Sequence, residues 1–407
     1  MDIRHFAIVG GRLVLPDRVV ADQALVIGQG RIVAIAPVTE IDPALPRLDA
    51  GGRLVTPGLI DIHIHGALGR TFNEPTEDAF ATITHLLARH GVTSVLATTA
   101  TDALQNLTAV LAFAREWMRT QVESRCTRPA SAHCGAQVLG VHVEGPYFHP
   151  AQAGAQNLAH LRIPDDGSVE RLLAHADVIR ILTFAPELPG ALALTRALRQ
   201  RQIVAAAGHS TAQEKHVLPA IDAGLSHCIH LWSAQSTTVR EGPWRRPGLL
   251  EVALTDERLT GEIIADGKHL PPTLIKLACR CLGAERLCVV SDATSGAGLP
   301  EGSRFTMAGV EYEVADGVGM TLDHTSFAGS TTLLDRMLAV LVQEVGITVP
   351  EAVRMATLTP AHVAGVSGHK GSLAAGKDAD IAIFDEGFHP WQTIIGGRWE
   401  NASESIG

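Results

Sequence analysis

The chain of 407 residues contains no run approaching the 18 or more apolar residues that a bilayer-spanning helix needs. Near its start, MDIRHFAIVGGRLVLPDR breaks every apolar stretch with charges and a proline, so it lacks the continuous hydrophobic segment of a secretory signal. The six cysteines, at 126, 134, 228, 279, 281 and 288, show no CxxC pairing and form no small-domain disulfide framework. Nor is there an excess of positive charge. The net charge is −10 and lysines and arginines are dispersed, which excludes a field that would gather nucleic acid or an anionic membrane. Low-complexity tracts and short solenoid periods are absent too. These absences leave a soluble protein of the reducing cytoplasm with buried free thiols, in which an anionic substrate would need a local basic pocket.

What is present is an ordinary globular composition, 46% hydrophobic and 19% charged, long enough for a barrel of roughly 250 residues and a smaller domain. The first fifty or so residues alternate short β-type runs with turn signals (HFAIVGG, RLVLPD, ALVIGQGRIVAIAP, GGRLVTPG), the pattern of a small antiparallel unit. After Thr56 buried-strand runs alternate with amphipathic helical stretches. One helix follows Pro75, with Thr76 as N-cap, Glu77 and Asp78 in the first turn, Phe80, Ile83 and Leu87 on one face, and Gly91 as stop.

Eight strand candidates follow in order: GLIDIHIHG, TSVLATTA, QVLGVHVEG, VIRILTFAPE, QIVAAAGHS, SHCIHLWS, LTGEIIADG and LCVVSDA. Eight is the number a closed parallel barrel requires. A helical tract around residues 331 to 364 precedes a tail, GSLAAGKDADIAIFDEGF and TIIGGRWE, that returns to β character and is expected to rejoin the N-terminal strands. The expected fold is therefore α/β, a (β/α)8 TIM barrel at 57–366 with a small β-sandwich domain built from both termini, 1–56 and 367–407. The stretch VREGPWRRPG after the sixth strand reads as a long loop.

Side chains of metal-binding type stand at five of those strand ends: His63 and His65 on the first, Glu144 on the third, His209 on the fifth, His230 on the sixth and Asp292 on the eighth. Imidazole and carboxylate suit zinc and similar divalent ions, and a barrel gathers its strand ends at one mouth. His63 and His65, two apart on a strand, project to the same face. Glu144 can hold one ion or bridge two, and with His209 and His230 it makes a shell that leaves a position open for water. Asp292 follows the apolar Leu287, Val289 and Val290, and beside a metal-activated water it suits a general base that later protonates the leaving group. His142 points the same way as Glu144 and reads as a support for a ligand. His85 and His90 read as surface residues of the helix after the first strand, and His133, His160, His175, His362, His369 and His389 carry no telling spacing.

At these residues the chain resembles the amidohydrolase superfamily, and within it the N-acetylglucosamine-6-phosphate deacetylases. The motifs VTPGLIDIHIHG, GVHVEGPYFHPAQAGAQN, AAGHSTA, HLWSAQ, IIADGKH, VSDATSGAG, FAGS, RMATLTPA and GSLAAGKDADIAIF occur in that family's order, nearly end to end. The resemblance implies a homodimeric enzyme that removes acetate from an N-acetylated amino-sugar 6-phosphate, using one or two divalent ions, most plausibly Zn2+. It implies Glu144, His209 and His230 as principal ligands, His63 and His65 for a second ion, and Asp292 as acid/base. For substrate it implies Ala155, Gln156, Ser233, Ala234, Arg245, His269, Phe327, Ala328, Gly329 and Ser330, with Arg245 and His269 reaching phosphate across a dimer. No lysine ends the fourth strand, in TFAPE, so Glu144 is expected to take the bridging place.

Three departures bear on substrate. Ser233, Ala234 and Gln235 stand where that family usually has Asn, Ala, Met; the arginine stretch is lengthened; and His324 precedes FAGS. They keep open a related amidohydrolase reaction on a galacto-configured, unphosphorylated or cyclic amide substrate. A non-catalytic metal scaffold or a phosphosugar isomerase would not account for Asp292 and the five-strand set together.

Overall fold

A computed structural model of the protein describes residues 5–127 and 134–400. The eight expected strands form one parallel sheet in chain order: β1 Leu59–Ile64, β2 Val92–Thr99, β3 Gln137–Glu144, β4 Ile179–Phe184, β5 Val204–Ala207, β6 Leu225–Cys228, β7 Thr260–Ile264 and β8 Leu287–Val290. The sheet curls until its edges meet. Asp292 N donates to His63 O at 2.9 Å, His65 N to Ala293 O at 2.8 Å, and Ser291 N to the Asp61 carboxylate at 3.3 Å. Every residue of β1, β2 and β8 is buried, as expected of parallel strands covered on both faces.

Helix α1, Glu77–Arg89, shows why the helices sit where they do. The Thr76 side chain accepts from Ala79 N, the two acidic residues lie at the positive end of the helix, and Phe80, Ile83 and Leu87 face the barrel. Gly91, at φ +80°, follows the helix end, and a Cβ there would lie 2.5 Å from the ring of Phe384. That glycine is thus required twice, by its backbone and by the close approach of the C-terminal segment. His85 and His90 are half-buried rather than surface residues, and His90 Nδ1 lies 3.0 Å from the carboxylate of buried Asp335.

The termini make two further sheets. Strands His5–Val9, Gln23–Gly28, Arg31–Pro37 and Arg47–Asp49 form one; Ile381–Phe384 pairs antiparallel with Leu54–Pro57 in the other, with Ile381 opposite Pro57 and Phe384 opposite Leu54. Phe6, Ile8 and Ile27 of the first sheet share one core with Val55, Ile381 and Ile394 of the second. The C-terminal tail does rejoin the N-terminal strands.

Two elements differ from the reading of the sequence. The stretch expected as a loop after β6 is an exposed hairpin, Val239–Glu241 with Trp244–Arg246, turned at Gly242 with φ +57°. After β8 a three-stranded antiparallel insert, Arg304–Met307, Val310–Ala315 and Val318–Thr321, packs Phe305, Met307, Tyr312 and Val314 against Ala100 at the end of β2. The five described cysteines form no disulfide; Cys228 and Cys288 are buried and Cys134, Cys279 and Cys281 half-buried. The side chain of Cys126, like His133, lies outside the described residues. No helix among the described residues is long and apolar enough to cross a membrane.

Candidate active site

The C-terminal ends of the barrel strands bring the six expected side chains to one point, centred on Glu144. His230 Nε2 lies 3.1 Å and His209 Nε2 3.2 Å from Glu144 Oε1, on which His63 Nε2 also closes at 3.4 Å. His65 Nε2 approaches the other oxygen, Oε2, at 3.4 Å. Asp292 Oδ1 stands opposite, 3.5 Å from His63 Nε2 and 3.3 Å from His65 Nε2. All six residues are buried. His209, His230 and Asp292, each just past its strand, have φ of +46°, +22° and +43°. Non-glycine residues take such conformations at a cost of about 1–3 kcal/mol each, and they persist where surrounding structure holds a functional geometry.

The donor set fits a divalent cation. His63 Nε2, buried and aimed at Glu144 and Asp292, makes no hydrogen bond. His209 places Nδ1 2.8 Å from Gln152 O, so Nδ1 carries the hydrogen and Nε2 turns its lone pair to Glu144. Two sets of ligand atoms lie close enough together to share an ion: His63, His65 and Glu144, and Glu144, His209 and His230. The electrostatics agree. Burial pushes Glu144 upward, yet the four imidazoles that face it, those of His209, His230, His63 and His65, outweigh burial and hold the carboxyl well below its usual range. Burial likewise pushes Asp292 upward, but the charges of His63 and His65 overcome that push and it ends below its ordinary value. Burial pushes His65 down, but Asp292 and Glu144 raise it to about 9. These buried carboxylates demand positive charge; in the protein alone histidine protons supply it, and a divalent ion is the other way to supply it.

The expected substrate residues fall into two groups. The Gln156 amide donates to Glu144 while its carbonyl accepts from Thr101 N at 2.7 Å, so this side chain orients the central carboxylate. Ala155 O accepts from the Tyr312 hydroxyl of the insert at 2.5 Å. Ala328 is buried in the insert's own core, and Ser330 is buried with its N–H on Asp292 O at 2.8 Å. With Gly329 between them, these residues hold the backbone of Asp292. Phe327 instead is 43% exposed and packs on the His269 ring, 4.6 Å between centroids. His269 Nδ1 is 2.7 Å from Asp266. Ser233 N donates to His230 O and Ala234 O accepts from Ser210 N, which joins the ends of β5 and β6. Arg245 sits on the exposed hairpin; Arg246 pairs with Glu241 at 2.9 Å, whereas Arg245 has no carboxylate partner among the described residues. His324 pairs with Glu313 of the insert.

The sequence reading leaves out two buried carboxylates, Glu262 and Asp61. Glu262 on β7 lies 2.8 Å from His63 Nδ1 and 2.9 Å from His227 Nε2. Asp61, two before His63, accepts from the backbone of His63 and Ser291, and burial pushes its carboxyl up to about 7. The signal was available: a carboxylate inside an apolar strand singled out Asp292, and Glu262 in TGEII and Asp61 in GLIDIHIH meet the same criterion. His142 lies beside the site, with Nδ1 3.2 Å from Ile62 O, Nε2 2.7 Å from Thr183 Oγ1, and its ring edge-on to His63. Burial and the neighbouring charge of His63 push it down to about 3, so it is neutral.

Comparison with known proteins agrees with this geometry. The sequence profile described as "Amidohydrolase family" matches residues 54–403. N-acetylgalactosamine-6-phosphate deacetylase of Escherichia coli O157:H7 is 35% identical over 388 residues, covering 95% of this chain and 97% of that one. N-acetylglucosamine-6-phosphate deacetylase of Bacillus subtilis (strain 168) is 30% identical over 388 residues, covering 95% and 94%. Among solved structures, that of N-acetylglucosamine-6-phosphate deacetylase from Pasteurella multocida superposes with a TM-score of 0.88 at 28% identity, covering 97% of this chain and 99% of that one.

Proposed function

Since this chain belongs to the amidohydrolase family, we propose that it removes acetate from an N-acetylated amino-sugar 6-phosphate, N-acetylglucosamine 6-phosphate above all. The observation that carries the reading is the convergence of four imidazole Nε2 atoms on Glu144 with Asp292 alongside, at the mouth of a barrel whose relatives bear deacetylase names. Glu144, His209 and His230 would hold one divalent ion, and His63 and His65, with Glu144, would hold a second. Zn2+ suits this borderline nitrogen and carboxylate set. An ion held there would supply Lewis acidity to the amide carbonyl and to the attacking water.

Asp292 does the proton work. Its Oδ1 faces the same space as the His63 and His65 nitrogens, so it can take the water proton and pass it to the departing amine. The insert packs on Ala100 after β2 and Phe327 packs on His269 after β7, beside the strand ends that carry the site. Arg245, free of an internal carboxylate partner and on an exposed hairpin, binds the 6-phosphate of a substrate held by the partner subunit of a homodimer, with His269 beside it. Cysteines that form no disulfide suit a cytoplasmic enzyme.

The test is acetate release by metal-loaded protein from N-acetylglucosamine 6-phosphate, its galacto epimer and unphosphorylated N-acetylglucosamine. Turnover of a phosphorylated sugar, lost without phosphate, is expected. The galacto epimer belongs in the panel because a relative of that name shares 35% of aligned residues. No acetate from any member would overturn the reading. Arg245→Ala should raise KM for the phosphorylated substrate about tenfold or more with kcat little changed; an unaltered KM would remove Arg245 from the site.

A further inference from the structure

The most unusual group outside the six-residue constellation is Glu262. It is fully buried on β7, between Gly261 and Ile263, and both carboxylate oxygens are used. Oε2 lies 2.8 Å from His63 Nδ1 and accepts from His230 N at 3.3 Å; Oε1 lies 2.9 Å from His227 Nε2. One side chain therefore touches the strand that carries His63 and the strand end that carries His230. A carboxylate oxygen accepts hydrogen bonds, so Glu262 holds a hydrogen of His63 on Nδ1 and leaves Nε2, which faces Glu144 and Asp292, as the nitrogen for an ion.

Glu262 could instead be a ligand itself, because its carboxylate, His63 and His142 lie close enough together to share an ion. The occupancy of their nitrogens argues against that. His142 spends Nδ1 on Ile62 O and Nε2 on Thr183, and His63 Nδ1 is already taken by Glu262, so an ion there would break one hydrogen bond of His142 and the bond between His63 and Glu262.

We infer that Glu262 is a positioning residue: it fixes the orientation and tautomer of His63 for binding the second ion and, through His230 N, ties that ligand to the first. The inference rests on the two-ion reading above, and its consequence is selective. Removing the charge of Glu262 should weaken the ion held by His63 and His65 and leave the one held by Glu144, His209 and His230 much less affected. Carboxylates that hold a ligating histidine are typically worth roughly 10- to 100-fold in metal affinity.

The experiment titrates ion-free parent, Glu262→Gln and His63→Ala proteins with Co2+, reading stoichiometry and affinity from the visible absorption of each bound ion and checking folding by thermal melting. The expected result is two ions in the parent, one in His63→Ala, and in Glu262→Gln a second ion weakened by roughly 10- to 100-fold with the first retained. If Glu262→Gln does not fold, Glu262→Asp keeps the charge but withdraws it by one methylene, and the same selective weakening is expected in smaller degree. Two ions of unchanged affinity in the Glu262 variants would overturn the inference while leaving the two-ion reading intact. A single ion in the parent, indifferent to His63→Ala, would overturn both.

Discussion

Asp292 carries the most specific expectation at the scale of single residues. Its carboxyl is held below its ordinary value, against the push of burial, by the charges of His63 and His65. It is therefore ionised at neutral pH, the state a proton acceptor needs. Asp292→Asn keeps the size and the backbone bonds to His63 O and Ser330 N but cannot accept the proton. Turnover should fall by about 10²–10⁴-fold, the usual worth of a positioned acid/base, with a melting temperature close to that of the parent. Steady-state acetate release together with calorimetry checks this, and turnover within a few-fold of the parent would exclude the role. Gln156 gives a second case. Its amide donates to Glu144, so Gln156→Leu, which cannot donate, should lower metal affinity more than it raises KM. Equilibrium dialysis against the ion, beside KM for the sugar phosphate, distinguishes a group that steadies Glu144 from one that only contacts sugar.

The elements were legible in the sequence where burial dictates composition. The parallel strands are covered on both faces and read as continuous apolar runs, and a His or Glu at the end of such a run stands out at once. Glu262 escapes a criterion based on strand ends because it lies in the middle of β7. The insert was illegible for another reason: its strands are four to six residues long, only the first two alternate buried with more exposed positions, and they shelter a core of only a few side chains. The same holds for the arginine hairpin, whose residues are all exposed and so carry no hydrophobic period. Yet the insert bears on the site through two contacts. Tyr312→Phe removes the hydroxyl that meets Ala155 O, with an expected loss of about 1 kcal/mol and a raised KM. Gly329→Ala is the harsher change, because φ is +68° and the new Cβ would lie 2.7 Å from Asp292 O and 2.6 Å from the Thr294 methyl. The strain of a left-handed alanine, about 1–2 kcal/mol, adds to a clash that only a shift of Asp292 relieves. Its kcat should fall far more than that of Tyr312→Phe, and equal effects in the two variants would contradict this.

For the molecule as a whole, the buried charge of the site couples pH, metal and stability. In the protein alone His65 is raised from 6.5 to about 9. A group raised on folding contributes stability that is complete below its unfolded value, so this contribution is present below pH 6.5 and disappears as pH rises through about 9. Glu144, Glu262 and Asp292 are lowered, so their contribution is present above the ordinary carboxylate range and disappears as the solution becomes acid. The ion-free protein should therefore weaken on both sides, and on the alkaline side through the histidines. Metal reverses the alkaline half. An ion binds the deprotonated imidazoles, so its affinity should rise between pH 6.5 and about 9 and its binding should release protons. At a free concentration 100 times Kd the ion stabilises by about 2.7 kcal/mol, and at fixed concentration this gain grows as Kd falls. Calorimetric scans with chelator and with Zn2+ should thus diverge as pH increases across that window, with the metal-loaded transition the higher. A gap that is constant with pH would mean that the ion displaces no histidine protons. It would then be bound elsewhere than among the four imidazoles that surround Glu144.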